Sequence, residues 1–392
     1  ISKENQWELA FGLEPEAYGL DQLISAINSA KSDDKIEGIS IQHSFLNAGF
    51  SQTEALRRAL ETFKESGKFI YAYHEYYSQK DLYLASVADS VFLHPQGNLD
   101  FKGLAAEVLY FKDFEEKTGL SMEVIRHGKY KSAVEPFLQN TMSAENRTQI
   151  KDLLFSLWKT LTTDMTRTHT LSQNALNQIA TQLAARNPEK ALESGLVHQL
   201  MERDDYENFL KETLGVGSDD ELNMVSFLDY HSSLPSKLNL NTKNKIAVIY
   251  AQGDIIYGEG NKETIGQEVI NKALQKIQDD DRIKGVVLRI NSPGGSALAS
   301  ELILKEIVNT KSTKPLVVSM GDVAASGGYY IACMANEIIA ESSTITGSIG
   351  VFGALPNVRG LANRWGINAE QVVTHPEALG YSVFEPLSES FR

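Results

Sequence analysis

The chain reads as an α/β protein made of two tandem copies of one parallel-sheet layout, joined by a helical connector. Three observations predict this. First, the sequence repeats itself. When Asp34-Lys35-Ile36-Glu37-Gly38-Ile39 is laid on Asp281-Arg282-Ile283-Lys284-Gly285-Val286, Gly19 falls on Gly266 and Ala26 on Ala273. Ser86-Val87-Ala88-Asp89-Ser90-Val91 then falls on Cys333-Met334-Ala335-Asn336-Glu337-Ile338. Second, apolar strand-like runs alternate with stretches of helical spacing, the order that builds a parallel sheet with right-handed crossovers. Third, 392 residues exceed one ordinary domain and suit two. The expected boundaries are an N-terminal repeat over 1–137, a connector over 138–243 and a C-terminal repeat over 244–392.

The second copy is the clearer one. Lys245 to Ala251 is an apolar strand. Residues 265–278 have helical spacing, with Val269, Ile270, Ala273, Leu274 and Ile277 on one face. Gly285 to Ile290 is a continuous apolar strand, the kind found in a sheet covered on both faces. A loop from Asn291 to Ser296 leads into a helix through about Asn309. Pro315 to Met320 is the next strand. Ser326 follows, then a buried-looking helix from about Gly328 to Met334 and a strand over Glu337 to Ala340. In the first copy, the strand Met122 to Ile125 precedes Gly128-Lys129-Tyr130-Lys131-Ser132-Ala133-Val134-Glu135-Pro136-Phe137. The connector is polar and helix-rich, with amphipathic stretches at Ile150 to Leu161 and Ala175 to Ala185. It ends in a loop from Ser232 to Lys243 and serves as a covering layer or an oligomer contact.

Composition narrows the function. At 42% hydrophobic and 22% charged, the chain is a folded protein rather than a disordered one. A net charge of −14 excludes a nucleic-acid surface, which needs clustered Lys and Arg. The single cysteine, Cys333, forbids an internal disulfide and reads as an inert core residue. No apolar run reaches the roughly 18 residues of a membrane span, and no signal peptide is visible. The second copy opens with the strand at 245–251. The first is therefore expected to have its own opening strand upstream of Ile1, where a targeting segment or anchor would lie, and a further part is expected beyond Arg392.

Asn291-Ser292-Pro293-Gly294-Gly295 follows a strand and precedes a helix. Two glycines there let the backbone approach a ligand, and their N–H groups can face a developing oxyanion. A tight strand-to-helix turn would look the same. The spacing is not that of a phosphate loop, and no cofactor or metal is called for. Ser326 opens a helix with Gly327-Gly328, where a serine is usually an N-cap. Its neighbours Ala324, Ala325, Gly327 and Gly328 are all tiny, leaving room for a substrate backbone. The Gly327 N–H would pair with Gly294 or Gly295 as a two-donor oxyanion hole. A nucleophilic serine needs a base. His375 is the only histidine after Ser326 and no Asp follows it, so a Ser-His-Asp relay in hydrolase order is disfavoured. A desolvated lysine is the other route. Lys131 is the candidate. At the matching place the second copy has Leu379, so it keeps the serine without the lysine. Solvated lysines are common, and the residues alone leave both readings of Lys131 open.

Together the Ser-Pro-Gly-Gly loop, Asp322-Val323-Ala324-Ala325-Ser326-Gly327-Gly328-Tyr329-Tyr330, Thr346-Gly347-Ser348-Ile349-Gly350 and Tyr130-Lys131-Ser132-Ala133-Val134-Glu135-Pro136-Phe137 resemble the signal peptide peptidase A (protease IV) family in its long, duplicated bacterial form. Four motifs in order, over nearly the whole chain, carry the resemblance. It implies the spiral ββα fold shared with Clp proteases and crotonases, and a Ser/Lys-dyad endopeptidase without cofactor or metal. Ser326 would be the nucleophile, Lys131 the general base and Ser348 the residue that steers the lysine, while Lys129 is dispensable. It also implies peptide substrates, namely spent signal peptides, a periplasm-facing place at the bacterial inner membrane, and a homotetramer with sites between protomers. A crotonase-like acyl-CoA enzyme and an inactive peptide-binding scaffold are the alternatives.

Overall fold

The computed structural model describes residues 19–42, 46–235 and 242–392. These form two compact units. The first holds residues to Leu104, Ser156–Lys243 and Glu341–Thr344; the second holds Ala105–Phe155, Asn244–Ala340 and Ile345–Arg392. The division does not run along the expected boundaries, since residues 105–137 of the first copy belong to the unit built on the second. Residues 236–241 of the expected loop lie outside the described residues.

In the first unit, α1 (Leu20–Lys31), β1 (Gly38–Ile41), α2 (Phe50–Lys64), β2 (Phe69–Tyr77), α3 (Gln79–Ala85) and β3 (Ser90–Leu99) alternate as expected. With β5 (Gln199–Leu200) they form a parallel sheet in the order β1-β2-β3-β5. One face, with Ile39, Ile70, Ala72, Val91 and Leu93, packs against Leu60, Phe63 and the helices beyond. The opposite face carries Tyr71, Tyr73 and Phe92 and is covered by α8 (Arg203–Leu214). Tyr73 stacks on Tyr206 at 4.9 Å, and Tyr206 Oη shares a 2.7 Å hydrogen bond with Ser40 Oγ. The expected connector is indeed helical: α5 (Ala144–Thr168), α6 (Gln173–Gln182), α7 (Pro188–Glu193), α8 and α9 (Phe227–Ser233). It is also part of the core, because Leu161, Met165, Leu176 and Ile179 are buried with the first sheet.

The second unit has a parallel sheet in the order β11-β10-β9-β6, formed by β6 (Lys245–Gln252), β9 (Ile283–Ser292), β10 (Leu316–Ala325) and β11 (Glu337–Ile339). A short parallel pair, β7 (Asp254–Ile256) and β8 (Thr264–Gly266), precedes α10 (Gln267–Asp279). Helices α10, α11 (Ala297–Thr313) and α12 (Gly327–Ala332) bury Ile270, Leu274, Ile303, Ile307 and Ile331 against Val286, Leu288, Ile290, Leu316 and Val318.

Three expectations are corrected here. Strand β9 is not covered on both faces: Val286, Leu288 and Ile290 are buried, whereas Val287 and Arg289 are half-buried. Their outward neighbours on β6, Ile246, Val248 and Tyr250, are exposed, and no helix like α8 lies on this face among the described residues. On α10, Val269 is 52% exposed and Gln267, Ile270, Leu274 and Ile277 are buried; the buried arc is rotated from the expected one. Cys333 is exposed rather than core, because α12 ends at Ala332 and Cys333 is its C-cap.

Strand β12 (Ile345–Gly347) pairs parallel with the end of β10. Then β4 (Ser121–Arg126) and β13 (Phe352–Asn357) form an antiparallel ribbon, with Phe352 opposite Arg126 and Asn357 opposite Ser121. After α4 (Lys112–Thr118) and before α13 (Arg359–Arg364), this ribbon ties the 105–137 stretch into the second unit.

Candidate active site

Ser326 joins β10 to α12 with φ 53° and ψ −117°. A non-glycine residue there costs about 1–3 kcal/mol and persists only when its surroundings enforce it. They do: the Ser326 N–H donates to Gly347 O (2.9 Å), and its carbonyl accepts from the Tyr330 N–H (2.8 Å). The side chain makes no cap bond, so the N-cap reading fails. At the start of α3 in the first unit, Ser78 is an ordinary cap, accepting from the Asp81 N–H at 3.2 Å. Ser78 thus caps its helix, whereas the Oγ of Ser326 is turned elsewhere.

That Oγ meets Lys131. Lys131 Nζ lies 3.0 Å from Ser326 Oγ, 2.6 Å from Ser348 O and 3.1 Å from Ser348 Oγ. Lys131 is only 4% exposed. Burial pushes its amine below the ordinary 10.5. No carboxylate forms an ion pair with it among the described residues, so nothing offsets that cost of charge. The Phe352 ring lies 5.9 Å from Nζ. Three elements deliver these groups. Strand β4 and its pairing with β13 bring in Lys131. The end of β10 carries Ser326. Strand β12 pairs Gly347 with Ala325 and so places Ser348 one residue further on. All three side chains belong to one chain and one unit, and no second protomer is needed to bring them together.

The glycines are set by close packing. Gly294 has φ 110°, and a Cβ there would meet Gly327 N at 2.7 Å and Ser326 Cβ at 2.8 Å. A Cβ on Gly328 would meet Ser292 O at 2.7 Å. Gly327 and Gly328 are therefore small because protein packs against them, not to make room for substrate as expected. The Gly294 N–H donates to Ser292 Oγ (3.1 Å), which itself donates to Gly253 O (2.7 Å). Gly295 is bridged to Ile255 through its neighbours: the Ile255 N–H donates to Gly294 O and the Ser296 N–H to Ile255 O, both 2.8 Å. Among the described residues, the N–H groups of Gly295 and Gly327 have no hydrogen-bond acceptor and are left as open donors.

Other residues fall outside the cluster. His375 is exposed and contacts Thr374 Oγ1 at 3.1 Å. Lys129 is exposed, 3.9 Å from Glu145. Asn291 stood in the Ser-Pro-Gly-Gly motif without a role of its own; its Oδ1 accepts from the Val323 N–H (3.0 Å) across a bulge in β10. Sequence reasoning missed Phe352, Asn146 and Tyr110. Glu135 stood inside a motif without a role, and the structure buries it beside Asn146.

The sequence matches Peptidase family S49 over residues 62–217 and 309–391, and Clp protease over residues 238–346. It is 38% identical to Protease 4 of Haemophilus influenzae over 385 residues, which is 96% of this chain and 62% of that protein. It is 36% identical to Protease 4 of Salmonella typhi, over 92% of this chain and 59% of that one. The chloroplastic serine protease SPPA of Arabidopsis thaliana is 34% identical over 90% of this chain and 53% of its own length. The chain spans about three fifths of the length of these relatives. No helix among the described residues is long and apolar enough to cross a membrane.

Proposed function

The chain belongs to Peptidase family S49, and from that premise we propose that it is a serine endopeptidase working through a Ser326–Lys131 dyad formed within one chain. The observation that carries this is the 3.0 Å contact between Lys131 Nζ and Ser326 Oγ, made by a buried lysine without a carboxylate partner among the described residues. A neutral amine has two N–H donors and one lone pair. In the reactive form the two donors are held by Ser348 O and Ser348 Oγ, and the lone pair accepts the Ser326 hydroxyl proton. Ser326 Oγ then attacks the peptide carbonyl, with the charge on its oxygen received by the N–H groups of Gly327 and Gly295. Gly294 keeps the loop in place beside Ser326. The Lys131 ammonium gives its proton to the departing amine, and water, deprotonated by the same lysine, releases the acyl group.

Hydrophobic peptides and spent signal peptides as substrates, a homotetrameric assembly, tandem duplicated spiral domains and a periplasm-facing place at an inner membrane are parts of this proposal drawn from the family resemblance. A site shared between protomers is not part of it. The acyl-CoA reading leaves the Lys131–Ser326 contact without a task.

Ser326→Ala and Lys131→Ala are each expected to reduce cleavage of a hydrophobic peptide by at least about 10³-fold while circular dichroism stays unchanged. Full activity in Lys131→Ala would sink the dyad.

A further inference from the structure

Lys131 is the last residue before a 3₁₀ turn, Ser132–Phe137, so whatever fixes that turn fixes the base of the lysine side chain. The turn has an internal anchor in Glu135, which is 2% exposed. Asn146, 4% exposed on the first turn of α5, donates from Nδ2 to Glu135 Oε2 at 2.6 Å. Tyr110 Oη donates to the same oxygen at 3.3 Å. Ser143, just ahead of α5, adds to the groups that favour the charged carboxylate. Asn146 closes the loop by accepting from Ser132 Oγ at 2.9 Å, at the residue next to Lys131.

Two features set this apart from ordinary packing. Glu135 is a buried carboxylate without an ion-pair partner among the described residues, an arrangement that costs several kcal/mol unless donors replace water. Here the donors are neutral groups, and Asn146 sits at the N-terminus of a 25-residue helix, where the helix dipole favours a negative charge. Burial pushes the carboxyl up, but Ser143 and Asn146 outweigh it and hold the group below its usual range. The carboxylate is thus satisfied on the side of α5. Glu135 is four residues from Lys131, yet the two form no ion pair among the described residues, and burial lowers the amine's pKa.

We propose that Glu135 and Asn146 are positioning residues for Lys131, clamping the lysine-bearing turn to the start of α5 while keeping the carboxylate's charge away from the amine. This rests on the dyad reading. In wild type the clamp holds Nζ on Ser326 and Ser348 with water excluded. Without it the turn loosens, the amine regains water and it returns toward ordinary lysine behaviour.

The test uses Glu135→Gln, which keeps the volume and removes the charge, and Asn146→Ala, which leaves the carboxylate and removes one donor. For each, kcat and KM on a hydrophobic peptide are measured from pH 6 to 10, with active sites titrated by a serine-directed phosphonate and melting followed by circular dichroism. The expected result is a fall in kcat per titrated site of about 10- to 100-fold. KM stays within about threefold, and the acid limb of the pH profile moves to higher pH. Lower melting temperature or fewer titratable sites, with wild-type kcat per site and an unmoved acid limb, overturns the proposal and leaves Glu135 a purely structural residue. If Glu135→Gln does not fold, Asn146→Ala decides by the same readouts. Lys131→Ala, run alongside, separates the two failures: full activity there overturns the dyad itself, whereas an inactive Lys131→Ala with unaltered Glu135 and Asn146 variants overturns only the clamp.

Discussion

At the scale of single residues, the site turns on a lysine that is buried without a countercharge among the described residues and a serine held in a strained backbone. The lowered pKa of Lys131 has a definite sign. Below its folded pKa the ammonium cannot take the Ser326 proton, so kcat/KM should rise with pH through a midpoint below 10.5. The unfolded chain binds this proton more tightly than the folded one, so stability should also increase as pH rises from the folded value toward 10.5. A pH–rate profile paired with a pH series of urea titrations checks both. Ser348→Ala removes the 3.1 Å acceptor and keeps the 2.6 Å carbonyl. It should lower kcat about 10- to 100-fold, the worth of one hydrogen bond to a charged group, with little change in KM. Gly294→Ala drives a methyl group to within 2.8 Å of Ser326 Cβ from a backbone at φ 110°. Phosphonate labelling of Ser326 should be lost in that variant, and wild-type labelling would show that the loop yields without cost.

At the scale of elements, the decisive one is the β4–β13 ribbon. Its six paired positions bring the lysine stretch of the first copy into the unit that carries the serine. Val124→Pro, opposite Ala354, puts a ring of fixed φ and no N–H in the middle of the ribbon. It should abolish peptide cleavage, with the core around Val286, Leu288 and Val318 still folded by near-ultraviolet and far-ultraviolet circular dichroism. Retained activity would mean that Lys131 is held without the ribbon. Much at this scale was legible in advance. The strands at 245–251 and 315–320 follow from apolar runs, and the helix after Ser296 from the loop that ends there; that Ser296 caps it, its Oγ accepting from the Ala299 N–H, is a finding of the structure. The orientation of α10 was not legible. Val269 and Ile270 are equally apolar, and only the position of the sheet decides which of them is covered.

At the scale of the molecule, the chain holds both halves of the proposed dyad. Mixed oligomers of Ser326→Ala and Lys131→Ala chains should therefore stay inactive, and recovered cleavage would place the working pair across protomers. The first unit has its own point of fragility. Arg57, 1% exposed, donates to Tyr83 O and Ser86 Oγ, both at 2.7 Å, and to Asp164 O at 3.1 Å. Arg57→Leu strands three buried acceptors from two segments and should cost about 3–5 kcal/mol in a thermal or denaturant melt. What the sequence by itself offered were the alternating elements and the candidates Ser326, Lys131 and the glycines, with Ser348 added by the family resemblance, because periodicity and residue chemistry are local properties. Tertiary structure alone decided that Ser326 is no cap, that the Gly294 N–H is spent on Ser292, and that Lys131 is dry and within reach. Burial and distance between residues nearly two hundred positions apart are set by how sheets and ribbons pair, and no local pattern encodes that pairing.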